Sequence, residues 1–377
     1  MRDPFQTGEP SRTIMRNTPH LFGAGALQRL AEEMTTELRA LRRQAMNQAC
    51  QNGRTIVQEL SAKGVDFGNL TVHPRLQQNE CVTSVETSQI EGVDSDLLIK
   101  PFQWKGSEAT LRDFNRKAAH LEIGMQAVEL VGEGVDGDFD GVANELTVGD
   151  LSALTIYIAG QPRPVTKLEL ARLGQIELSR QDKATIQRGE EIFRAIGCNA
   201  CHRSQLRLIN PIFSEPSQRS AYRDRSFPSG EDPVAAGVDP ENPVRFDLTQ
   251  DHPDNRLEIR GRDIRLGSFD TNDRGHAIVR LYGDLKRHDM GPELAESVDE
   301  TGTGASVFMT KELWGVGSTA PYLHDGRATT LTEAIQAHGG EAAATRDVFA
   351  ALTTEDKQAL IDFLNNLVLF LIEAEEE

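Results

Sequence analysis

Apolar residues recur at three- and four-residue spacing in some stretches and lose that rhythm in others, and the alternation divides the chain into elements. Leu27 to Gln51 has helical periodicity among good helix formers up to Gly53, and Thr55 to Ala62 reads as its continuation after that break. No period holds from Gly64 to Glu108. Leu111 to Leu130 reads as helix again, and Leu151 to Ala159 as a short buried helix closed by Gly160, Pro162 and Pro164. Ala184 to Ile196 is the most regular stretch, with Ile186, Gly189, Ile192, Phe193 and Ile196 on one face. Arg203 to Asp284 is rich in Arg, Asp, Pro and Gly and reads as a long wrapped insertion. Within it Val244 to Leu248 and Leu257 to Leu266 are short extended pieces able to pair. Helix returns at Thr330 to His338 and at Glu355 to Leu369, where Leu360, Ile361, Phe363, Leu364 and Leu367 form an apolar face.

This pattern predicts a mainly α protein. Residues 1–165 form a helical N-terminal domain, 166–180 a linker, 181–370 a second domain and 371–377 an acidic tail. In the second domain the last helix is expected to cross the one at 184–196, with Gly189 allowing close approach of the two backbones.

That first helix leads directly into Cys198-Asn199-Ala200-Cys201-His202. A CxxCH pentapeptide is the attachment signature of a c-type haem: two thiols add to the haem vinyl groups, and the His is placed to ligate the iron. A zinc half-site would want a second Cys or His pair at ligand spacing, but the other cysteines, Cys50 and Cys81, lie far upstream. A thioredoxin-type dithiol would sit in a βαβ pattern, and a helix precedes the motif here. One covalent haem c, in a cytochrome c-like domain with long loop insertions, is the expectation.

Charge narrows the partners. The formal net charge is −18 over 377 residues, which disfavours nucleic acid and anionic membranes and suits a small redox partner with a basic patch, such as a cytochrome or cupredoxin. The longest apolar run, Leu367 to Ile372, is too short to span a bilayer. The first residues carry no apolar signal segment, although haem attachment at CxxCH takes place outside the cytoplasm. The expected location is therefore periplasmic or otherwise extracytoplasmic, on a chain that has lost its leader or its start. Cys50 and Cys81 either pair there or remain two buried thiols.

Further motifs carry a family resemblance. Leu285 to Pro292 reads LKRHDMGP, and Leu313 to Arg327 reads LWGVGSTAPYLHDGR, continuing through Thr330, Leu331, Glu333, Ala334, Ile335, His338, Gly339, Gly340 and Glu341. These segments resemble the bacterial dihaem cytochrome c peroxidase superfamily, most closely its branch of putative dihaem oxidoreductases (thiol-oxidoreductase-like). Arg16 to Phe22 resembles the RNTP-type segment that follows the family's first haem motif, and Phe102 to Gly106 its F-x-W-x-G segment. The resemblance implies that residues 1–165 correspond to the first half of a dihaem peroxidase. It makes Trp104 a candidate for the path between haems, against a plain core aromatic. Departures are equally specific. Phe114 stands where the peroxidases place a catalytic Gln, and Gly124 where an acid/base Glu precedes Met125; Glu122 is the nearest carboxylate. Only one CxxCH is present, so the first haem would belong ahead of Met1, or the chain is a monohaem variant.

For the iron, His202 is the expected proximal ligand. The distal candidates are Met290, Met309, His288, His276 and Tyr282, with Met290 preferred because it lies in the HDMG motif. His324 is expected near the haem edge. Separately, Asp136, Asp138 and Asp140 alternate ahead of Gly141 like the front of a Ca²⁺ loop spanning 136–150. Val142 would add its carbonyl and Glu145 the closing carboxylate, with Asp150 as a fallback. The sequence thus predicts a c-type cytochrome that transfers electrons in a peroxidase-like oxidoreductase reducing peroxide or a related substrate. Two alternatives are a dihaem-type oxidoreductase on another substrate and a simple monohaem carrier.

Overall fold

Helix α1 (Ala24–Asn52) is the spine of the molecule, and strands as well as helices pack on it. The structure is a computed structural model that describes residues 14–250, 256–259, 261–265 and 267–369. The expected tail at 371–377 and the first thirteen residues lie outside the described residues. Three antiparallel strands follow α1 in a meander: β1 (Ile56–Ala62), β2 (Val65–Gln77) and β3 (Glu80–Glu86).

The sheet does not show in the residue pattern, for a local reason. In β2 the buried side chains are Val65 and Phe67, then Leu70 and Val72, so the two-residue alternation slips by one around Gly68, whose φ is +72°. The register against β1 shifts at the same place, between Glu59 and Ser61. Both hairpin turns place two successive residues at positive φ, Lys63-Gly64 and Gln78-Asn79, as two-residue hairpins favour. Thr55 to Ala62 is therefore strand, not continued helix, and the mainly α expectation is corrected. The chain is 36% helix and 18% strand. A disulfide joins Cys50 at the end of α1 to Cys81 in β3, Cα atoms 5.7 Å apart, which settles that pair.

The predicted helix from 111 to 130 splits at Gly124 (φ +76°) into α2 (Leu111–Ile123) and the single turn α3 (Val128–Val131); α4 (Val148–Ala159) follows a Thr147/Asp150 capping box. The stretch read as a linker carries structure of its own. Strand β4 (Val165–Thr166) leads into α5 (Lys167–Arg172), whose Leu170 is buried against Val165 and Val368.

Next come α6 (Arg180–Ala195), capped by Ser179 and Asp182, and the wrapped insertion. Its strands β5 (Leu206–Leu208), β6 (Ile212–Glu215), β7 (Val244–Asp247), β8 (Arg256–Ile259), β9 (Arg262–Arg265), β10 (Asp270–Thr271) and β11 (Ala277–Val279) form small sheets. The two extended pieces do not pair with each other: β7 pairs with β6, and β8 with β9. Much of the insertion packs on α1, where Leu206, Leu208, Phe213, Tyr222 and Leu281 share one core with Leu30, Met34 and Leu38.

Strands β12 (Arg287–Asp289) and β13 (Val307–Met309) pair before the helices α7 (Leu331–Gln336), α8 (Ala343–Ala351) and α9 (Thr354–Asn366). The last strand, β14 (Leu367–Val368), returns to pair with β4. A second, smaller core forms where α6 crosses α9: Ile186 and Phe193 meet Leu360, Phe363 and Leu364. Gly189 sits at the crossing as expected, since a Cβ there would fall on the carbonyl oxygen of Ala359.

Candidate functional site

Beyond α6 the backbone turns through Gly197 (φ +96°) into a 3-10 turn, Cys198–Ala200, which presents both cysteines and His202 to one cavity of about 280 Å³. The cysteines are free thiols, and burial pushes Cys198 up to about 12. A thiol so reluctant to ionise is a poor redox nucleophile, which argues against a thioredoxin-type dithiol.

His202 is held for ligation. Its Nδ1 lies 3.1 Å from the carbonyl of Tyr282. A carbonyl only accepts, so Nδ1 carries the hydrogen and the lone pair is left on Nε2. Burial, with a smaller effect from His338, pushes the imidazole down to about 4, keeping it neutral.

His338 is built the same way. It follows the last turn of α7, its Nδ1 donates to the Ala334 carbonyl at 2.7 Å, and burial lowers its pKa. The two ring centroids are 6.4 Å apart. Two metal–nitrogen bonds of about 2 Å plus roughly 1 Å from each nitrogen to its ring centre come to about 6 Å. His338 stands in the HGG segment and is not among the ligands expected from the sequence. Its i→i−4 relation to Ala334, at a helix end where a ring N–H can cap a free carbonyl, was the available signal.

The expected distal candidates fall differently. His288 is excluded, because Nε2 is 2.9 Å from Asp284 and Nδ1 is 2.7 Å from Glu341, leaving no free nitrogen. Burial opposes its charge, but Asp284 and Cys201 outweigh that and push it up to about 11. Tyr282 gives its hydroxyl to Glu190 at 3.2 Å and its carbonyl to His202, and does not line the cavity. His276 lies at the β10–β11 turn, away from the cavity. Met290 and Met309 both line it; Met309 is buried with its methyl against Gly106. Donor atoms of Cys201, Asp284 and His288 also lie within 4.8 Å of one another, yet both His288 nitrogens are spent on carboxylates.

The far wall of the same cavity is made by segments distant in sequence. Asn17 donates its backbone N–H to the His324 carbonyl (2.7 Å) and its side chain to Pro321 (2.6 Å), while Trp104 Nε1 donates to the Asn17 carbonyl (2.7 Å). His324 stacks on Phe308 at 4.4 Å and meets Trp104 edge-on at 6.5 Å. Arg16 pairs with Glu296 and, at 2.7 Å, with Glu300. Phe114 is instead buried against Phe102 (5.8 Å), and Glu122 is exposed. The carboxylates lining the cavity are Glu312 and Glu341.

The acidic loop brings Asp136, Asp138 and Asp140 within 4.8 Å of one another. Its expected closing ligands are engaged elsewhere: Glu145 accepts the Gln126 N–H at 2.6 Å, and Asp150 serves the α4 capping box. Val142 donates its own N–H to Asp140 at 2.8 Å.

A cavity joining a CxxCH turn to two lone-pair imidazoles defines a haem-protein class, and comparison with known proteins bears on it. Residues 272–367 match the family model described as "Di-haem oxidoreductase, putative peroxidase". The resemblance to the dihaem peroxidase-like superfamily is thereby shown over this segment, which holds His288, Met290, His324 and His338. Two solved structures are similar at low identity. A MauG-like protein associated with microbial copper homeostasis is 14% identical, with 98% of this chain and 97% of that one covered at a TM-score of 0.37. The hydrazine synthase of Kuenenia stuttgartiensis is 15% identical at a TM-score of 0.28, covering 60% of this chain and 57% of that chain's length. No curated protein matches.

The site fits a haem on its own chemistry. Two unpaired thiols, two neutral imidazoles with free Nε2 and largely apolar walls are what a covalently held haem requires.

Proposed function

We propose that this chain is a c-type cytochrome of the dihaem oxidoreductase kind. Cys198 and Cys201 attach one haem, His202 and His338 ligate its iron, and the protein serves electron transfer. The paired, carbonyl-anchored imidazoles carry this reading. Bound there, the haem would supply a one-electron redox centre. The Tyr282 and Ala334 carbonyls fix the orientation of the two imidazoles, and the burial of both keeps them unprotonated and ready as ligands. His338 replaces Met290 as the distal choice, and a second imidazole does not raise the potential as a thioether ligand would. Trp104, at the far wall, is retained as the candidate relay aromatic.

Pyridine haemochrome and intact mass test the reading directly: one haem per chain is expected, and none would sink it. His338→Ala should convert a six-coordinate low-spin spectrum to a high-spin one. Met290→Ala should leave the spectrum unchanged, and the reverse result would return the assignment to Met290.

A plain electron carrier without peroxide chemistry is the second reading. It is favoured by the exposure of Glu122 and the apolar setting of Phe114, which leave the peroxidase acid/base positions unserved. A reduced donor that peroxide oxidises at an enzyme-dependent rate would decide for the oxidoreductase. The Cys50–Cys81 disulfide and the CxxCH both support an extracytoplasmic location, and the charge of −18 supports a small redox partner with a basic face. No helix among the described residues is long and apolar enough to cross a membrane. Calcium at 136–145 rests on the three aspartates; calorimetry on chelator-treated protein should read heat with Ca²⁺, and silence would remove it.

A further inference from the structure

Lys311 stands in the wall of the cavity. Lys311 Nζ lies 5.9 Å from the centre of the Trp104 ring and has no hydrogen-bond or ion-pair partner among the described residues. Neighbouring cations are all engaged. Arg16 has Glu296 and Glu300, Lys105 has the carbonyls of Gly304, Ala305 and Val307 at 2.8 to 3.0 Å, and Arg346 has Asp347 at 2.8 Å. Burial drags the Lys311 pKa down and only the adjacent Glu312 opposes it, so the ammonium is held at a cost that its surroundings do not offset.

Two more polar groups in the same wall are unsatisfied. His20 Nε2 lies 2.8 Å from the Trp314 carbonyl and must donate to it, which leaves Nδ1 a bare acceptor, buried and without a partner. Trp314, only 4% exposed, has a buried Nε1–H that donates to nothing. Buried polar atoms without partners are rare, and two of them belong to residues that line the same cavity as the half-buried Lys311.

We propose that Lys311 is a carboxylate-binding residue built into the wall of the haem cavity. The wall around it, Trp104, Leu313, Trp314 and Phe308, is apolar. That setting suits an anion with a hydrocarbon body and one charged end, rather than phosphate, which demands many donors. Two sources carry this chemistry: a propionate of the haem held at Cys198 and Cys201, or a small free monocarboxylate. The first source rests on the haem reading above; the second does not.

The test uses the purified protein with Lys311→Met and Lys311→Arg, read by potentiometric titration of the haem and by calorimetric titration with butyrate. If the carboxylate is a propionate, Lys311→Met lowers the midpoint potential, because losing a cation favours the oxidised haem; Lys311→Arg keeps the original value, and butyrate binds none of the three. If it is a free ligand, butyrate binds the parent protein and Lys311→Met weakens it at least about tenfold, the loss expected for a charge-assisted hydrogen bond. A Lys311→Met protein with unchanged midpoint and no change in butyrate binding overturns the proposal. A preparation without haem would defeat the haem reading separately and leave the butyrate arm readable.

Discussion

The two cores of this molecule are finished in opposite ways. Around α1 and α2 the buried charges are matched to one another. Arg112 donates to Glu129 and Glu215 (2.9 and 2.8 Å), Arg116 to Glu129 and Asp224 (both 2.9 Å), and Glu33 takes Lys63 and two backbone N–H groups of the insertion. Around α6 and α9 the elements enclose a cavity, with two imidazoles whose Nδ1 atoms are anchored on carbonyls and with the Lys311 ammonium beside the Trp104 ring. A close-packed protein keeps a void lined by unpaired polar atoms only where something else is meant to fill it. The charge-paired core therefore reads as scaffold and the other as site.

That contrast breaks first at Arg112. Arg112→Met leaves Glu129 and Glu215 buried without their shared partner and should cost about 3–5 kcal/mol in denaturant unfolding, with the visible haem spectrum of the surviving native fraction unchanged. Replacing Cys50 and Cys81 together by Ser opens a 31-residue separation and should cost roughly 3–4 kcal/mol by chain entropy, again without spectral change. If either variant altered the haem spectrum, the two cores would not be independent.

Gly189→Ala tests the other side. Its Cβ would strike the Ala359 carbonyl, so a loss of about 1–3 kcal/mol is expected, this time with a shifted Soret band because α6 carries the CxxCH turn.

The smallest effect is one of pH within the charge-paired core. Glu108 is pushed up to about 7 by burial and by the neighbouring Asp113, with Lys117 pulling the other way at 2.6 Å. A folded pKa above the unfolded one means that the native state holds a proton the unfolded chain has released. The stability from this proton is complete below pH about 4.5 and is lost as pH rises through about 7. Glu108→Gln should flatten the stability profile across that window; a profile identical to the parent's would refute the assignment.

Helices with a clean three-to-four period, α1, α6 and α9, were legible because their apolar faces repeat and their ends carry caps or glycines. The β1–β3 meander was not, since its alternation slips at Gly68 and its turns use Lys-Gly and Gln-Asn in place of stronger hairpin signals. The capping of α4 by Asp150 and the engagement of Glu145 by Gln126 could not be foreseen from the spacing of carboxylates, because each depends on a neighbour brought close by folding.

By itself the sequence determined the thiols and first imidazole of the proposed haem site, since Cys198, Cys201 and His202 fall within five residues and their geometry is local. It also determined the crossing of α6 and α9, which follows from a glycine and an apolar face. Only the tertiary structure bears on the partner imidazole proposed for the iron. His288 and His338 are both histidines in shared motifs, and what separates them is that Asp284 and Glu341 occupy both nitrogens of one while a helix-end carbonyl leaves the other with a lone pair to give.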